Sequence, residues 1–358
     1  MEKKRLLFIL FFVVIIFIIL LLFVFPIQKN NTFSSKGKLI DKITNKNVIY
    51  LSKIPLNEKI SQMIIVYGVP KYIEAYKSLK VGGVHLGSFY LKQNYVDYIN
   101  NLTKNQKIPF FISSDLEGGT CVNPFYGFYN FTSNINVTSP EEAYNMGVNS
   151  GKILSEIGFN INFAPVLDRE DHLRNCRAYQ GNISEKAIAY IDGLKSENVL
   201  SVVKHYPGKT LINDTHKVKN IVNITKEDLL PFQNVLKEGK VDGVMVSHSI
   251  VTGQLNSNGK PASVSKEVIS SLNYFDGLII SDALSMAAIK TYYENESQMY
   301  IDTFSLNNIV IIFDKNITKI KDVINIIENE ALNNIELQKH IDNSFKKILT
   351  KKGFIVKD

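Results

Sequence analysis

Eight short apolar runs, each followed by a stretch of helical periodicity, constrain this chain more than any other feature. They fall at residues 63–67, 83–86, 109–113, 160–164, 200–204, 243–246, 277–280 and 309–312. Each is too short for a helix and apolar on both faces, as a parallel strand buried under helices must be. The intervening segments carry helix-start signals. Ser139-Pro140-Glu141-Glu142 combines an N-cap, a first-turn proline and a capping-box glutamate. Thr225-Lys226-Glu227-Asp228 opens another helix in a similar way, and residues 317–350 read as amphipathic closing helices. Eight strand–helix alternations predict the α/β class and a single (β/α)8 TIM-type barrel over residues 51–358. A doubly wound open sheet is the alternative, but no glycine-rich dinucleotide fingerprint follows the first strand.

Three segments precede the expected barrel. Residues 1–5 hold Lys3, Lys4 and Arg5 and read as a cytoplasmic stub. Residues 6–25 are unbroken apolar sequence. Twenty helical residues span roughly 30 Å, the thickness of a bilayer core. The run therefore reads as a single-pass signal anchor in the lipid bilayer, with the basic flank inside and the barrel extracytoplasmic. A cleaved signal peptide is the alternative, although no small-x-small site follows the run. Residues 26–50 are polar and read as a tether. The net charge of +7 is spread along the chain as isolated lysines, so it marks a solvated surface and no nucleic-acid module. A monomer is expected.

In such a barrel, chemistry belongs to the C-terminal ends of the strands. Asp115-Leu116-Glu117-Gly118-Gly119 follows the third run, and Asp168 and Arg177 follow the fourth. Lys204, His205, Asp214 and His216 follow the fifth, His248 the sixth and Asp282 the seventh. Singly, each has an ordinary structural explanation, such as a helix cap or a buried hydrogen-bonded histidine. Together they would converge on one mouth. "PGKT" is not a phosphate loop, because Val203 stands where that motif needs glycine. No His-x-x-x-His or cysteine cluster suggests a metal, and no Gly-x-Ser-x-Gly suggests a serine nucleophile. What remains is a carboxylate nucleophile with a separate proton donor, the arrangement of a retaining glycosidase. Asp214-Thr215-His216 offers that donor as a histidine oriented by a carboxylate. No metal or organic cofactor is expected.

These motifs resemble family 3 glycoside hydrolases, and most closely the β-N-acetylglucosaminidase branch that trims peptidoglycan fragments. The likeness rests on Lys204-His205-Tyr206-Pro207-Gly208, Asp214-Thr215-His216, Ser281-Asp282-Ala283-Leu284-Ser285-Met286 and Asp115-Leu116-Glu117-Gly118-Gly119. It extends through Asn162-Phe163-Ala164-Pro165-Val166-Leu167-Asp168, Leu230-Pro231-Phe232 and Pro261-Ala262-Ser263-Val264-Ser265. The resemblance implies Asp282 as nucleophile, His216 as general acid/base and Asp214 as its partner. It implies that Asp115, Arg177, Lys204 and His205 hold the sugar, with a terminal β-N-acetylglucosaminide or muropeptide as substrate. Another family 3 β-glycosidase, a phosphorylase and an inactive sugar-binding protein are the alternatives. Three departures stand out. Asn123 replaces an arginine usual in the family, Lys209-Thr210 replaces a His-Gly pair in a loop one residue short, and Ala283 replaces a common aspartate. The two cysteines, Cys121 and Cys176, follow neighbouring strands and are either a disulfide on the barrel rim or two free thiols.

Overall fold

The computed structural model describes residues 47–358 apart from Tyr90 and Thr120. Its strands run in chain order as β1 (Val48–Tyr50), β2 (Ile64–Tyr67), β3 (Gly83–His85), β4 (Phe111–Ser114), β5 (Ile161–Asn162), β6 (Leu200–Tyr206), β7 (Ile221–Ile224), β8 (Gly243–Val246), β9 (Ile250–Gly253), β10 (Leu278–Ala283), β11 (Ile309–Ile312) and β12 (Ile355–Lys357). Eight of them close into a parallel barrel in the order β10-β11-β2-β3-β4-β5-β6-β8. All eight expected runs supply a barrel strand, so the (β/α)8 expectation holds and the open sheet is excluded. Closure follows from composition: Ile64, Ile65, Val66, Val244, Ile309 and Val310 are wholly buried, with helices outside and side-chain layers inside. Ile65→Ala, one such change, would cost about 2–5 kcal/mol.

The expected stub and anchor, with most of the tether, lie outside the described residues. Among the described residues no helix is long and apolar enough to cross a membrane. The tether reading differs from the structure at its end. Val48–Tyr50 pairs in parallel with Ile355–Lys357, so the folded unit starts at Val48 instead of residue 51. Three-residue strands with exposed, mixed side chains carry no periodic signal. A second parallel pair, β7 with β9, stands outside the barrel and was equally unmarked by a long apolar run.

The helix signals act as expected, with one adjustment. Ser139 caps Pro140–Ile157 by accepting from the Glu142 N–H, but Glu142 reaches back to the N–H and hydroxyl of Thr138. Thr225 and Asp228 form a full capping box on Lys226–Lys237. The closing segment is two helices, Ile317–Asn333 and Ile335–Lys351, parted by Asn334, whose side chain caps the second.

Candidate active site

One cavity of about 260 Å³ opens at the C-terminal ends of the barrel strands, and all seven residues singled out from the sequence line it: Asp115, Arg177, Lys204, His205, Asp214, His216 and Asp282. Phe163, Met245, Met286, Ile311 and Phe313 supply its apolar wall. Charged and polar side chains make up the rest of its lining, so the cavity is a polar site with one apolar wall.

The floor is an ion-pair network. Lys204 Nζ lies 2.6 Å from Asp115 Oδ1 and 2.6 Å from Glu117 Oε1. Arg177 grips the same Glu117 with both arms, Nε to Oε2 at 2.6 Å and Nη2 to Oε1 at 2.7 Å. Burial alone would raise the two carboxyls. Lys204 with His85 and Arg177 at Asp115, and Arg177 with Lys204 at Glu117, together outweigh it, and both stay below the usual carboxylate range. Burial would likewise lower the Lys204 ammonium, but Asp115 and Glu117 raise it above its usual value. All four groups are thus charged at neutral pH.

Local structure sets these groups in place. Asn162 on β5 clamps the backbone of Leu116 through both its side-chain atoms, each at 2.9 Å. Gly118 and Gly119 then turn the chain back with φ of 120° and 61°, and a Cβ on Gly119 would meet Ser133 at 2.0 Å. The Lys204–His205 peptide bond is cis. Asp168, wholly buried, accepts from the backbone N–H of His205 and Thr210 and from His205 Nδ1 at 2.8 Å. With Nδ1 donating to the carboxylate, His205 Nε2 faces Arg177 Nη2 at 3.4 Å as an acceptor.

The nucleophile candidate and the acid loop are less enclosed. Asp282, next to last in β10, is half-buried, and its Oδ1 accepts from the Ala283 N–H at 2.7 Å. Among the described residues no donor holds Oδ2. Behind it, buried His248 meets the Ala283 carbonyl at 3.2 Å and the Ser263 hydroxyl at 2.7 Å. A carbonyl can only accept, so Nε2 carries the proton, and His248 braces the backbone at Asp282 instead of facing a ligand. Asp214 accepts from the His216 N–H at 3.1 Å and pairs with Lys217 at 3.1 Å. Its carboxyl is lowered, first by Lys217. The expected Asp214–His216 contact therefore runs through the backbone; among the described residues no bond joins the carboxylate to the imidazole.

Two of the three sequence departures have a structural account. Asn123 spends its side chain on its own turn, donating to the Tyr129 carbonyl and accepting from the Phe125 N–H. Lys209 fastens the short loop to buried Asp228 at 3.1 Å and to the Asn223 carbonyl at 2.8 Å. Nothing in the structure explains Ala283 in place of an acid. Cys121 and Cys176 are joined as a disulfide with Cα atoms 6.3 Å apart, which resolves the two readings of the cysteines.

Sequence reasoning passed over Glu117 and His85. Glu117 had a signal, since a second carboxylate beside two expected cations needs a role. His85 stood as a polar residue in an apolar run; it stacks on Phe163 and lies 3.5 Å from Asp115 Oδ2.

A strand-end carboxylate, a histidine loop and a charged floor are now in one cavity, and residues 55–351 match the glycosyl hydrolase family 3 N terminal domain. The chain belongs to glycosyl hydrolase family 3. Among curated proteins it is 28% identical over 236 residues to a beta-hexosaminidase A of Pseudoalteromonas piscicida, covering 56% of this chain and 39% of that one. It is 36% identical over 149 residues to a beta-hexosaminidase of Psychromonas ingrahamii, covering 37% and 43%. The chain thus spans about two-fifths of these family relatives. A solved family 3 glycosyl hydrolase of Mycobacterium smegmatis matches at a TM-score of 0.74 and 25% identity, over 84% of this chain and 98% of that one.

Proposed function

We propose that this chain is a retaining exo-β-N-acetylglucosaminidase. The observation that carries the reading is the meeting of Asp282, His216 and Asp214 in one cavity floored by Asp115, Lys204 and Arg177. Asp282 Oδ2, unoccupied by any described donor, attacks the anomeric carbon. His216 gives a proton to the departing glycosidic oxygen, so the C–O bond breaks and a glycosyl ester forms on Asp282. The same imidazole then takes a proton from water, which attacks the anomeric carbon and frees Asp282. Asp214, two residues away, stabilises imidazolium during both steps. The fixed cations and carboxylates of the floor hold the sugar hydroxyls and the N-acetyl group, and the site's small volume favours a terminal residue over an internal one.

The substrate in this reading is a peptidoglycan-derived fragment, met outside the cell by an enzyme anchored through residues 6–25. The disulfide supports an oxidising compartment, and the apolar run behind Lys3, Lys4 and Arg5 supports the anchor. The names of the beta-hexosaminidase relatives support the reaction. The test uses the full-length chain in detergent, beside Asp282→Ala, with 4-nitrophenyl β-N-acetylglucosaminide. Release of nitrophenol that vanishes in Asp282→Ala is expected. A folded, inert wild type that still binds N-acetylglucosamine would identify a binding protein instead.

A further inference from the structure

The end of the barrel opposite the cavity is closed by the second of the two closing helices, Ile335–Lys351. It runs beneath the starts of the strands. His340 Nε2 donates to the Asn307 carbonyl before β11, Lys347 to the Gly277 carbonyl before β10 and Lys351 to the Asp242 carboxylate before β8. Lys352, just past the helix, donates to the Gly82 carbonyl before β3. Leu337, Ile341, Phe345 and Ile348 form the buried side, toward the barrel. Ile335, Lys339, Asn343, Lys346 and Thr350 recur every three or four residues on the other side and are exposed, pointing away from the fold.

The β1–β12 pair continues this surface. Its register sets Val48 against Ile355 and Tyr50 against Lys357, so these four exposed side chains share one face of the two-stranded sheet. Lys346 Nζ meets Asp358 Oδ1 at 3.4 Å, which joins the outer side of the helix to the end of the sheet. The resulting patch is both apolar and basic. Of the thirteen exposed large apolar side chains among the described residues, five stand on it: Val48, Tyr50, Leu332, Ile335 and Ile355. Such a concentration marks an interaction surface. Lys339 pairs with Glu336 and Lys346 with Asp358, but among the described residues no carboxylate pairs with Lys53 or Lys357. Lys53 lies instead over the Tyr50 ring, 5.1 Å from its centroid. Aliphatic chains, a tyrosine and lysines on one face suit a membrane interface, with apolar parts at the acyl boundary and ammonium groups among the phosphates.

Val48, where the folded unit starts, belongs to this patch. Residues 26–47, the 22 positions between the apolar run and Val48, span at most about 80 Å. A patch at the root of such a tether meets the bilayer in an intramolecular step, so weak contacts suffice. We propose that this patch docks the barrel on the anionic lipid surface of the bilayer, leaving the cavity at the end facing away from it. The proposal rests on the anchor reading made above.

The chain contains no tryptophan, so a single introduced one reports its own surroundings. The test compares full-length Ile335→Trp, on the patch, with Tyr126→Trp, on a loop at the mouth; the two positions are 62% and 66% exposed. Both are reconstituted in vesicles of phosphatidylcholine and phosphatidylglycerol, with and without bromine on the acyl chains near the headgroups. An interfacial side chain lies about 5–10 Å into the headgroup and acyl boundary, so bromine should lower the Ile335→Trp emission about twofold and leave that of Tyr126→Trp unchanged. Adding Lys53→Glu and Lys357→Glu to Ile335→Trp, or omitting phosphatidylglycerol, should restore part of the emission. In vesicle-bound chain, quenching of both reporters, of neither, or of Tyr126→Trp alone overturns the docking and leaves the anchor reading intact. So does an Ile335→Trp emission that follows protein density and not bromine, which would put a second copy of the chain on the patch. A chain that does not float with the vesicles sinks the anchor reading and the docking with it.

Discussion

The floor of the cavity and the loop beside it are built in opposite ways. On the floor, Lys204, Glu117, Arg177 and Asp115 bind one another at 2.6–2.7 Å, and Asp168 fixes His205. Its charges are paired before any ligand arrives. The loop is fastened at its start by Lys209 and Thr210 and in its middle by the Thr215 carbonyl. Yet exposed His216 has no side-chain hydrogen bond among the described residues, and Asp214 holds a neighbour's backbone. In the proposed reaction, sugar recognition is thus preorganised in the folded core. Proton transfer in that proposal is left to groups whose hydrogen bonds can tighten only when substrate is bound.

The largest effect should come from breaking the floor. Lys204→Met leaves Asp115 and Glu117 facing each other with only Arg177 to compensate. Breaking a buried ion pair on one side costs about 3–5 kcal/mol, read as a shift in the denaturant midpoint, and turnover should fall to background. A loss under about 1 kcal/mol, the range of exposed pairs, would mean that water already screens the floor.

The loop should behave in the reverse manner. His216→Gln should change stability by no more than about 0.5 kcal/mol, as exposed positions do. It should slow turnover by about 10²–10⁴-fold on an alkyl glycoside, whose oxygen must be protonated as it leaves. A dinitrophenyl glycoside leaves without that proton, so its loss in the first step should be much smaller. Equal losses on the two substrates would make His216 a binding residue and remove the contrast with the floor.

The same contrast explains what the sequence disclosed. The eight barrel strands were legible because burial on both faces leaves unbroken apolar runs, and the barrel rule then located Asp115, Lys204 and Asp282 at strand ends. The β1–β12 and β7–β9 pairs were not, because short strands with an exposed face lack that signature; Ile221–Ile224 simply alternates exposed and buried. Site residues that act alone were easier to find than those that act through partners distant in sequence. Glu117 has meaning only beside Arg177, 60 positions on. A spacing of two places Asp214 near His216 without fixing which atom of it is met, here the backbone N–H.

The smallest effect is a pH dependence that belongs to the floor and its supports. Burial lowers both His85 and His248 below the usual imidazole value, against the opposing pull of Asp115 on the first and Asp282 on the second. In the unfolded chain both titrate near about 6.5. Between that value and the lower folded one, the unfolded state binds more protons, so stability falls as pH falls. Asp115 and Glu117, also lowered, act in the same direction further down: their contribution is full above about 4 and is lost below it. The thermal midpoint should therefore decline as pH falls from about 6.5 and steepen below about 4. His85→Asn combined with His248→Gln should reduce the first decline, with His340, also lowered by burial, supplying the remainder, and should leave the second. A midpoint that rose between pH 7 and 5 would mean that a protonated imidazole stabilises the fold. Asp115 would then be balanced by His85 as well as Lys204, and the floor would adjust its charge to pH much as the loop does.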